Sequence, residues 1–246
     1  SYAVLTMVDR DDLLDGGAEH VAATVRALKR RRPEMLIETL VGDFRGQREA
    51  VASVISARPD VFAHNLEVTR ALTPAIRDAR CSYDRSLDVL RIAKEEAPER
   101  LTKSSLMVGL GETDDEVLAS MADLREAGVD IVTVGQYLRP SPRHAAVERY
   151  VTPEQFAAYE REGQRMGFRF VASGPLVRSS YHAAEGFVAT LAQRPQEGVS
   201  RPVVQPSEDE SASDASASEP LPPLKIRSRS SEPPPQLIRA TDLVRR

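Results

Sequence analysis

Polar residues that could bind a ligand follow five of the apolar runs in this sequence. Carboxylates, amides and glycines are concentrated at residues 9–12, 42–45, 64–67, 109–112 and 135–137. Such groups accept hydrogen bonds from hydroxyls and amines or donate to them. Together they indicate a site for an extended ligand that carries hydroxyl and amino groups, although each segment alone is equally typical of ordinary loop chemistry.

Two of these segments have more specific interpretations. Asn65 and Glu67 place a carboxamide close to a carboxylate, an arrangement that suits paired hydroxyls such as those of a ribose. A helix N-cap at Asn65, with Glu67 in the first turn, accounts for the same residues. Gly109 and Gly111 would let the backbone approach a ligand closely, but no third glycine follows at the spacing of a dinucleotide fingerprint.

Other reactive side chains are isolated. Lys103 precedes a buried run and is a candidate Schiff-base nucleophile of the kind used by barrel aldolases, although lysines at strand starts usually point to water. Cys81 is the one cysteine and is interpreted as a passive thiol. A single cysteine excludes a disulfide within the chain and any iron–sulfur site whose ligands are cysteines of this chain alone. Four histidines show no metal-ligand spacing: His20, His64, His144 and His182.

A Gly-Pro turn at 174–175 leads into two adjacent hydroxyls, Ser179 and Ser180, which are flanked by Arg178 and Tyr181. One serine could be the N-cap of a helix. Alternatively, a serine oxygen binds an electrophilic centre while Arg178 offsets nearby negative charge.

The elements that must position these groups are visible as six apolar runs separated by helical patterns. The predicted strands are 3–8, 35–41, 60–64, 104–110, 130–134 and 168–172. Thr113 with Glu116, and Thr152 before Pro153, predict two helix starts. Strands that alternate with helices predict a parallel sheet covered on both faces, in which the carboxyl ends of the strands form the ligand site.

The composition bounds the class of protein. The 246 residues are 41% hydrophobic and carry a net charge of -4, which gives no basis for expecting attraction to nucleic acid or to an anionic membrane. Proline, serine and acidic residues dominate from about residue 191. We therefore expect a folded domain at 1–190 and a disordered tail at 191–246. Because Ser1 leads directly into a strand-like run, we also expect the natural N-terminus to lie further upstream.

Seven motifs occur in order between residues 2 and 187: LTMVDRDDL at 5–13, DGGA at 15–18, DFRG at 43–46, HNLE at 64–67, GLGET at 109–113, GQYL at 135–138 and GPLVRSSY at 174–181. In this order they resemble the C-terminal portion of the lipoyl synthases, a radical S-adenosylmethionine (SAM) family. The resemblance implies an α/β fold, a partial (β/α) TIM-like barrel of the radical SAM type that lacks its first strand here.

The resemblance also implies the chemistry. One [4Fe-4S] cluster cleaves SAM to a 5′-deoxyadenosyl radical, which abstracts hydrogens from C6 and C8 of a protein-bound octanoyl chain. A second, auxiliary [4Fe-4S] cluster, which is held by three cysteines and a serine, donates the sulfurs. By position that serine is Ser180, with Ser179 as fallback and Arg178 in support. The implied SAM contacts are Asn65 and Glu67 for the ribose, Gly109 and Gly111 for the adenosine, and Asp9 and Gln136 for the pocket wall.

The implied partners are an octanoylated lipoyl carrier domain or glycine-cleavage H protein, and an electron donor such as ferredoxin or flavodoxin. The implied compartment is the cytoplasm, or the mitochondrial or plastid matrix in a eukaryote. Neither cysteine triplet of the family is present, so we expect this chain alone to be inactive. Two alternatives stay open, a cluster-less module that binds a nucleoside or carrier domain, and a Schiff-base enzyme that uses Lys103.

Overall fold

The computed structural model describes residues 1–180, which form one six-stranded parallel sheet with α-helices between its strands. The strands pair in chain order and are β1 Tyr2–Thr6, β2 Leu36–Leu40, β3 Val61–Ala63, β4 Leu101–Val108, β5 Ile131–Gln136 and β6 Phe170–Gly174. The helices are α1 Ala18–Arg31, α2 Arg48–Ser56, α3 Thr73–Ile76, α4 Tyr83–Glu96, α5 Asp114–Glu126 and α6 Pro153–Arg165. All six predicted strands and the parallel sheet are confirmed.

Local capping explains where two helices begin. The Thr113 hydroxyl accepts from the Glu116 amide at 3.2 Å, and the Glu116 carboxylate accepts from the Thr113 amide at 2.8 Å. This reciprocal pair is the predicted capping box at the start of α5. Thr152 caps α6 by accepting from the Gln155 amide, again as predicted.

The apolar core closes the amino end of the sheet and leaves the carboxyl end open. Residues from the first positions of all six strands meet in one cluster, formed by Val61, Leu101 and Ile131 with Tyr2, Leu36 and Phe170. Contact among all six strands requires a curved sheet, which is a partial (β/α) barrel. A larger cluster packs α4, α5 and α6 against the outer face of β4, β5 and β6.

The predicted tail, 191–246, lies outside the described residues, and so do Tyr181 and the predicted domain boundary at 190. Among the helices of residues 1–180, none has the length and apolar character that crossing a bilayer requires.

Candidate functional site

Two cavities lie at the carboxyl ends of the strands, where the polar segments were predicted to lie. The first cavity has a volume of about 630 Å³ and is bounded by the ends of β1, β2 and β3 and by the loop before α4. The second cavity, of about 220 Å³, is bounded by the ends of β4 and β5 and by residues 177–179. Asn65 and Glu67 line both cavities, so they form the boundary between them.

The backbone after β3 stays attached to β4, and this attachment presents Asn65 and Glu67. The Glu67 amide donates to the Ser105 carbonyl at 3.0 Å, and the Glu67 carbonyl accepts from Met107 at 2.7 Å. The Asn65 amide group donates to the Glu67 carboxylate at 3.1 Å. The alternative of a helix N-cap at Asn65 is wrong, because the next helix, α3, begins only at Thr73.

Glu67 has an unfavourable backbone conformation and a desolvated carboxyl group. Its φ of 73° lies in the left-handed region, which costs a non-glycine residue about 1–2 kcal/mol. Burial raises the pKa of its carboxyl, and the hydrogen bond from Asn65 and the charge of Arg77 oppose this rise. A partly desolvated carboxylate beside an amide is suited to accept hydrogen bonds from two adjacent hydroxyls.

The wall of the first cavity carries four arginines, and three of them are neutralised by the protein. Arg45 pairs with Asp11, Arg80 with Asp78 and Asp11, and Arg85 with Asp43. Within residues 1–180 the fourth, Arg77, forms no salt bridge, and its guanidinium donates to the Ser86 hydroxyl at 2.9 Å. Arg77 is therefore the cation in this wall that is available for a ligand anion.

Two other residues of interest line the first cavity. Asp9 is exposed at its mouth, where the sequence placed it. Cys81 is partly buried, and desolvation raises the pKa of its thiol. The raised pKa favours the protonated thiol and supports the interpretation of Cys81 as passive.

The second cavity is more apolar and includes one of the two predicted serines. Its apolar lining includes Leu106, Met107, Leu138 and Val177. Ser179 and Arg178 line this cavity, whereas Ser180 is exposed and is not among the lining residues.

Gly135 allows the chain after β6 to approach β5 closely enough to bring these residues in. A Cβ on Gly135 would lie 2.2 Å from the Val177 carbonyl oxygen.

Gly109 and Gln136 are held by hydrogen bonds within the protein itself. The Gly109 amide donates to the Glu112 carboxylate at 2.6 Å, and neither Gly109 nor Gly111 lines either cavity. Gln136 lines the second cavity, but its amide group donates to the Arg149 carbonyl at 3.0 Å and accepts from Val151 at 2.9 Å. These contacts fasten the segment after β5 over the glycine turn.

Lys103 does not point to water as expected. It lies within β4 and is 3% exposed, and its ammonium contacts both carboxylate oxygens of Glu38, at 2.8 and 3.0 Å. Glu38 is 1% exposed and also accepts from the Tyr2 hydroxyl at 2.7 Å. Lys103 therefore has its charge paired in the barrel interior and offers no free amine for a Schiff base.

Residues 1–124, half of the chain, match the Radical SAM superfamily. The chain belongs to the radical SAM superfamily. This radical SAM protein is 63% identical over 207 residues to the lipoyl synthase of Sorangium cellulosum (strain So ce56). The aligned region covers 78% of this chain and 56% of that protein. The chain is 58% identical over 187 residues to the lipoyl synthase of Thermus thermophilus, covering 76% and 58%.

The chain thus spans a little over half the length of the lipoyl synthases it matches. The crystal structure of methylornithine synthase has a TM-score of 0.57 with this radical SAM protein at 16% identity, covering 77% of this chain and 54% of that chain. That likeness concerns the fold alone.

The residues present fit SAM better than they fit a cluster. SAM carries ribose hydroxyls and a carboxylate, which match the Asn65–Glu67 pair and the Arg77 guanidinium in a cavity of ordinary ligand size. By contrast, no group of three or more His, Cys, Asp or Glu side chains within residues 1–180 is placed to hold a metal ion. Cys81 and Ser179 line different cavities, so a cluster needs thiolates that this sequence does not contain.

Arg77 and its partner Ser86 were not among the residues predicted from the sequence. Arg77 follows α3 and lies far along the chain from the end of β3, and Ser86 lies on α4. Neither residue directly follows a strand, and the packing of α4 against the sheet is what brings Ser86 next to Arg77 at the cavity wall.

Proposed function

We propose that the protein is a lipoyl synthase, which inserts two sulfur atoms at C6 and C8 of a protein-bound octanoyl chain. The observation that carries the proposal is the 63% identity to a lipoyl synthase over 207 residues. The open carboxyl end of the barrel, with its two adjoining cavities, is compatible with one cofactor and one substrate chain.

SAM is assigned to the first cavity. Asn65 and Glu67 hold the ribose hydroxyls, Arg77 pairs with the carboxylate, and Asp9 lies at the mouth. When bound, SAM supplies the hydrogen-abstracting radical of this family. Gly109 and Gln136 support the site indirectly, because their contacts shape the loop at its edge, and Gly111 belongs to the same glycine turn.

The octanoyl chain is assigned to the second cavity, whose apolar side chains can exclude water from an alkyl chain. Ser180, or Ser179 as fallback, is assigned as the serine ligand of the auxiliary [4Fe-4S] cluster, with Arg178 beside it. An oxygen ligand binds iron less strongly than thiolate does, which suits a cluster that is dismantled to donate sulfur. The three thiolates of that cluster, and those of the SAM-cleaving cluster, come from outside the given sequence.

The partners are an octanoylated lipoyl carrier domain or H protein and a ferredoxin or flavodoxin.

Cofactor binding is tested by titration calorimetry of the chain with SAM. Glu67→Gln should weaken binding about tenfold, because it removes a charged acceptor from the ribose hydroxyls. Glu49→Gln is the matched control, an exposed carboxylate on α2 outside both cavities. Equal affinities for the wild type and Glu67→Gln would remove the ribose assignment.

The reaction is tested in a chimera that joins this chain to the part of the Sorangium cellulosum lipoyl synthase that it does not match. After anaerobic reconstitution, the chimera should form lipoyl groups on an octanoylated carrier domain. Ser180→Ala should abolish product, whereas Ser179→Ala should retain it. Equal product with Ser180→Ala would refute that ligand assignment.

A second candidate is binding without catalysis, which the single cysteine favours. In that case the chain binds SAM or an octanoylated carrier, and the chimera makes no lipoyl product.

A further inference from the structure

Four polar groups at the wall of the first cavity form one continuous series of hydrogen bonds. The Val41 carbonyl lies 2.9 Å from His64 Nδ1, and His64 Nε2 lies 3.0 Å from the Ser86 hydroxyl. That hydroxyl accepts from the Arg77 guanidinium at 2.9 Å. The series joins the residue after β2, the residue after β3, helix α4 and the loop after α3.

The chemistry of each group sets the direction of every bond. A carbonyl can only accept, so His64 Nδ1 carries a proton and donates to Val41. Burial lowers the pKa of His64, the imidazole is neutral, and Nε2 therefore accepts from the Ser86 hydroxyl. The oxygen of Ser86 then has lone pairs for the guanidinium of Arg77, which can only donate. One arrangement of protons satisfies the whole series.

Burial separates the roles of these residues. His64 and Ser86 are buried; His64 lines the cavity and Ser86 does not. Both ring nitrogens of His64 are occupied by the protein, so the ring has no free nitrogen for a ligand. Arg77 is partly exposed and lines the cavity, with no salt bridge to any residue of 1–180. Ser86 is outside the lining and neither ring nitrogen of His64 is free, so the polar atoms of this pair influence a ligand through Arg77.

We propose that His64 and Ser86 are positioning residues that hold the Arg77 guanidinium toward the carboxylate of SAM. The inference rests on the proposed function. An arginine side chain has several rotatable bonds, and ordering it at the moment of binding would cost affinity. The hydrogen bond to Ser86 orders it beforehand, and His64 keeps the lone pairs of Ser86 directed at Arg77.

The test compares two ligands that differ at the carboxylate. Titration calorimetry is carried out on the 246-residue chain with SAM and with 5′-methylthioadenosine, which has the nucleoside but no carboxylate. Ser86→Ala should weaken SAM binding about tenfold and leave 5′-methylthioadenosine unchanged. Ser120→Ala is the matched control, a buried serine on α5 whose hydroxyl donates to the Glu116 carbonyl. It should change neither affinity.

A double-mutant cycle separates positioning from a general structural effect. In an Arg77→Ala background, Ser86→Ala should have no further effect on SAM affinity, because the group that it positions is gone. Equal weakening of both ligands by Ser86→Ala, or effects of the two substitutions that add fully, would overturn the inference.

A second measurement needs no ligand and separates this inference from the proposed function. In the wild type, NMR should show the Nδ1-protonated neutral form of His64 and slow rotation of the Arg77 guanidinium. Ser86→Ala should make that rotation fast. Absence of SAM binding by the wild type with this NMR change would refute the cofactor assignment while retaining the positioning role. An unchanged Arg77 signal in Ser86→Ala would refute the positioning role itself.

Discussion

Replacing Lys103 by methionine should destabilise the fold strongly, since it leaves the buried carboxylate of Glu38 without its cation. Lys103 and Glu38 are 3% and 1% exposed, and the ammonium contacts both carboxylate oxygens, at 2.8 and 3.0 Å. Removing one member of a buried ion pair costs about 3–5 kcal/mol. That is a large part of the roughly 5–15 kcal/mol by which native domains are stable.

The control for Lys103→Met is a pair of the same type nearer to the surface. Lys29 contacts Asp60 at 2.5 Å, but these side chains are 24% and 20% exposed, and Asp60 also accepts from the Ile37 amide. Water can solvate the carboxylate that Lys29→Met leaves behind, so we expect a loss of only about 1 kcal/mol.

Urea denaturation followed by far-ultraviolet circular dichroism measures both losses, provided that the m-values of the variants agree. The double variant Glu38→Gln with Lys103→Met removes both charges while keeping an acceptor for the Tyr2 hydroxyl. It should recover about 2 kcal/mol relative to Lys103→Met alone. A loss for Lys103→Met no greater than that for Lys29→Met, or a double variant less stable than Lys103→Met, would refute the reasoning.

Three further outcomes follow from the site and its supporting loop. Gly109→Ala should cost about 3 kcal/mol in urea denaturation, because φ is 100° and the new Cβ would lie 2.2 Å from Gln136, whereas Gly167→Ala, at φ 85° with open space around it, should cost about 1 kcal/mol. Burial raises the pKa of Glu67 above its ordinary 4.5, so the folded state binds this proton more tightly than the unfolded chain does. The contribution of Glu67 to stability should therefore be fully present below pH 4.5 and be lost as pH rises through the raised pKa, and Glu67→Gln should abolish that part of the pH profile of urea midpoints. Alkylation of Cys81 by iodoacetamide at pH 7 should be slower in the folded chain than in urea, since burial raises the thiol pKa, and slower still with saturating SAM; a rate unaffected by SAM would argue against binding in the first cavity.

Secondary structure was predictable where its causes are local. Thr113 and Thr152 cap helices through residues three positions away, so the signal lies within one turn of the chain. The start of β4 was predicted at Ser104 but lies at Leu101. The polar residues Thr102 and Lys103 obscured it, because they are buried through contacts with Gly128, Asp130 and Glu38 that are distant in sequence.

The sequence allowed the site to be predicted at the carboxyl ends of the strands, but not its separation into two cavities. Strand ends converge in any parallel barrel, so residues such as Asp9, Asn65 and Glu67 could be expected near one another. Whether a polar group faces the ligand depends on what else it bonds. The Glu112 carboxylate binds the Gly109 amide, and this choice between intramolecular and ligand contacts arises only in the folded chain.

The boundary between the two cavities gives the proposed reaction its geometry. Asn65 and Glu67 line both, so under the proposed function a ribose that they hold in the first cavity would lie at the boundary with the second. The side chains that line the second cavity include Leu106 and Met107, which suit an alkyl chain rather than a second nucleoside. Hydrogen transfer between two bound molecules requires their reacting atoms to lie close to van der Waals contact. In the proposed reaction the shared pair of side chains would supply that proximity, because binding of the cofactor and placement of its sugar beside the alkyl chain would depend on the same two residues.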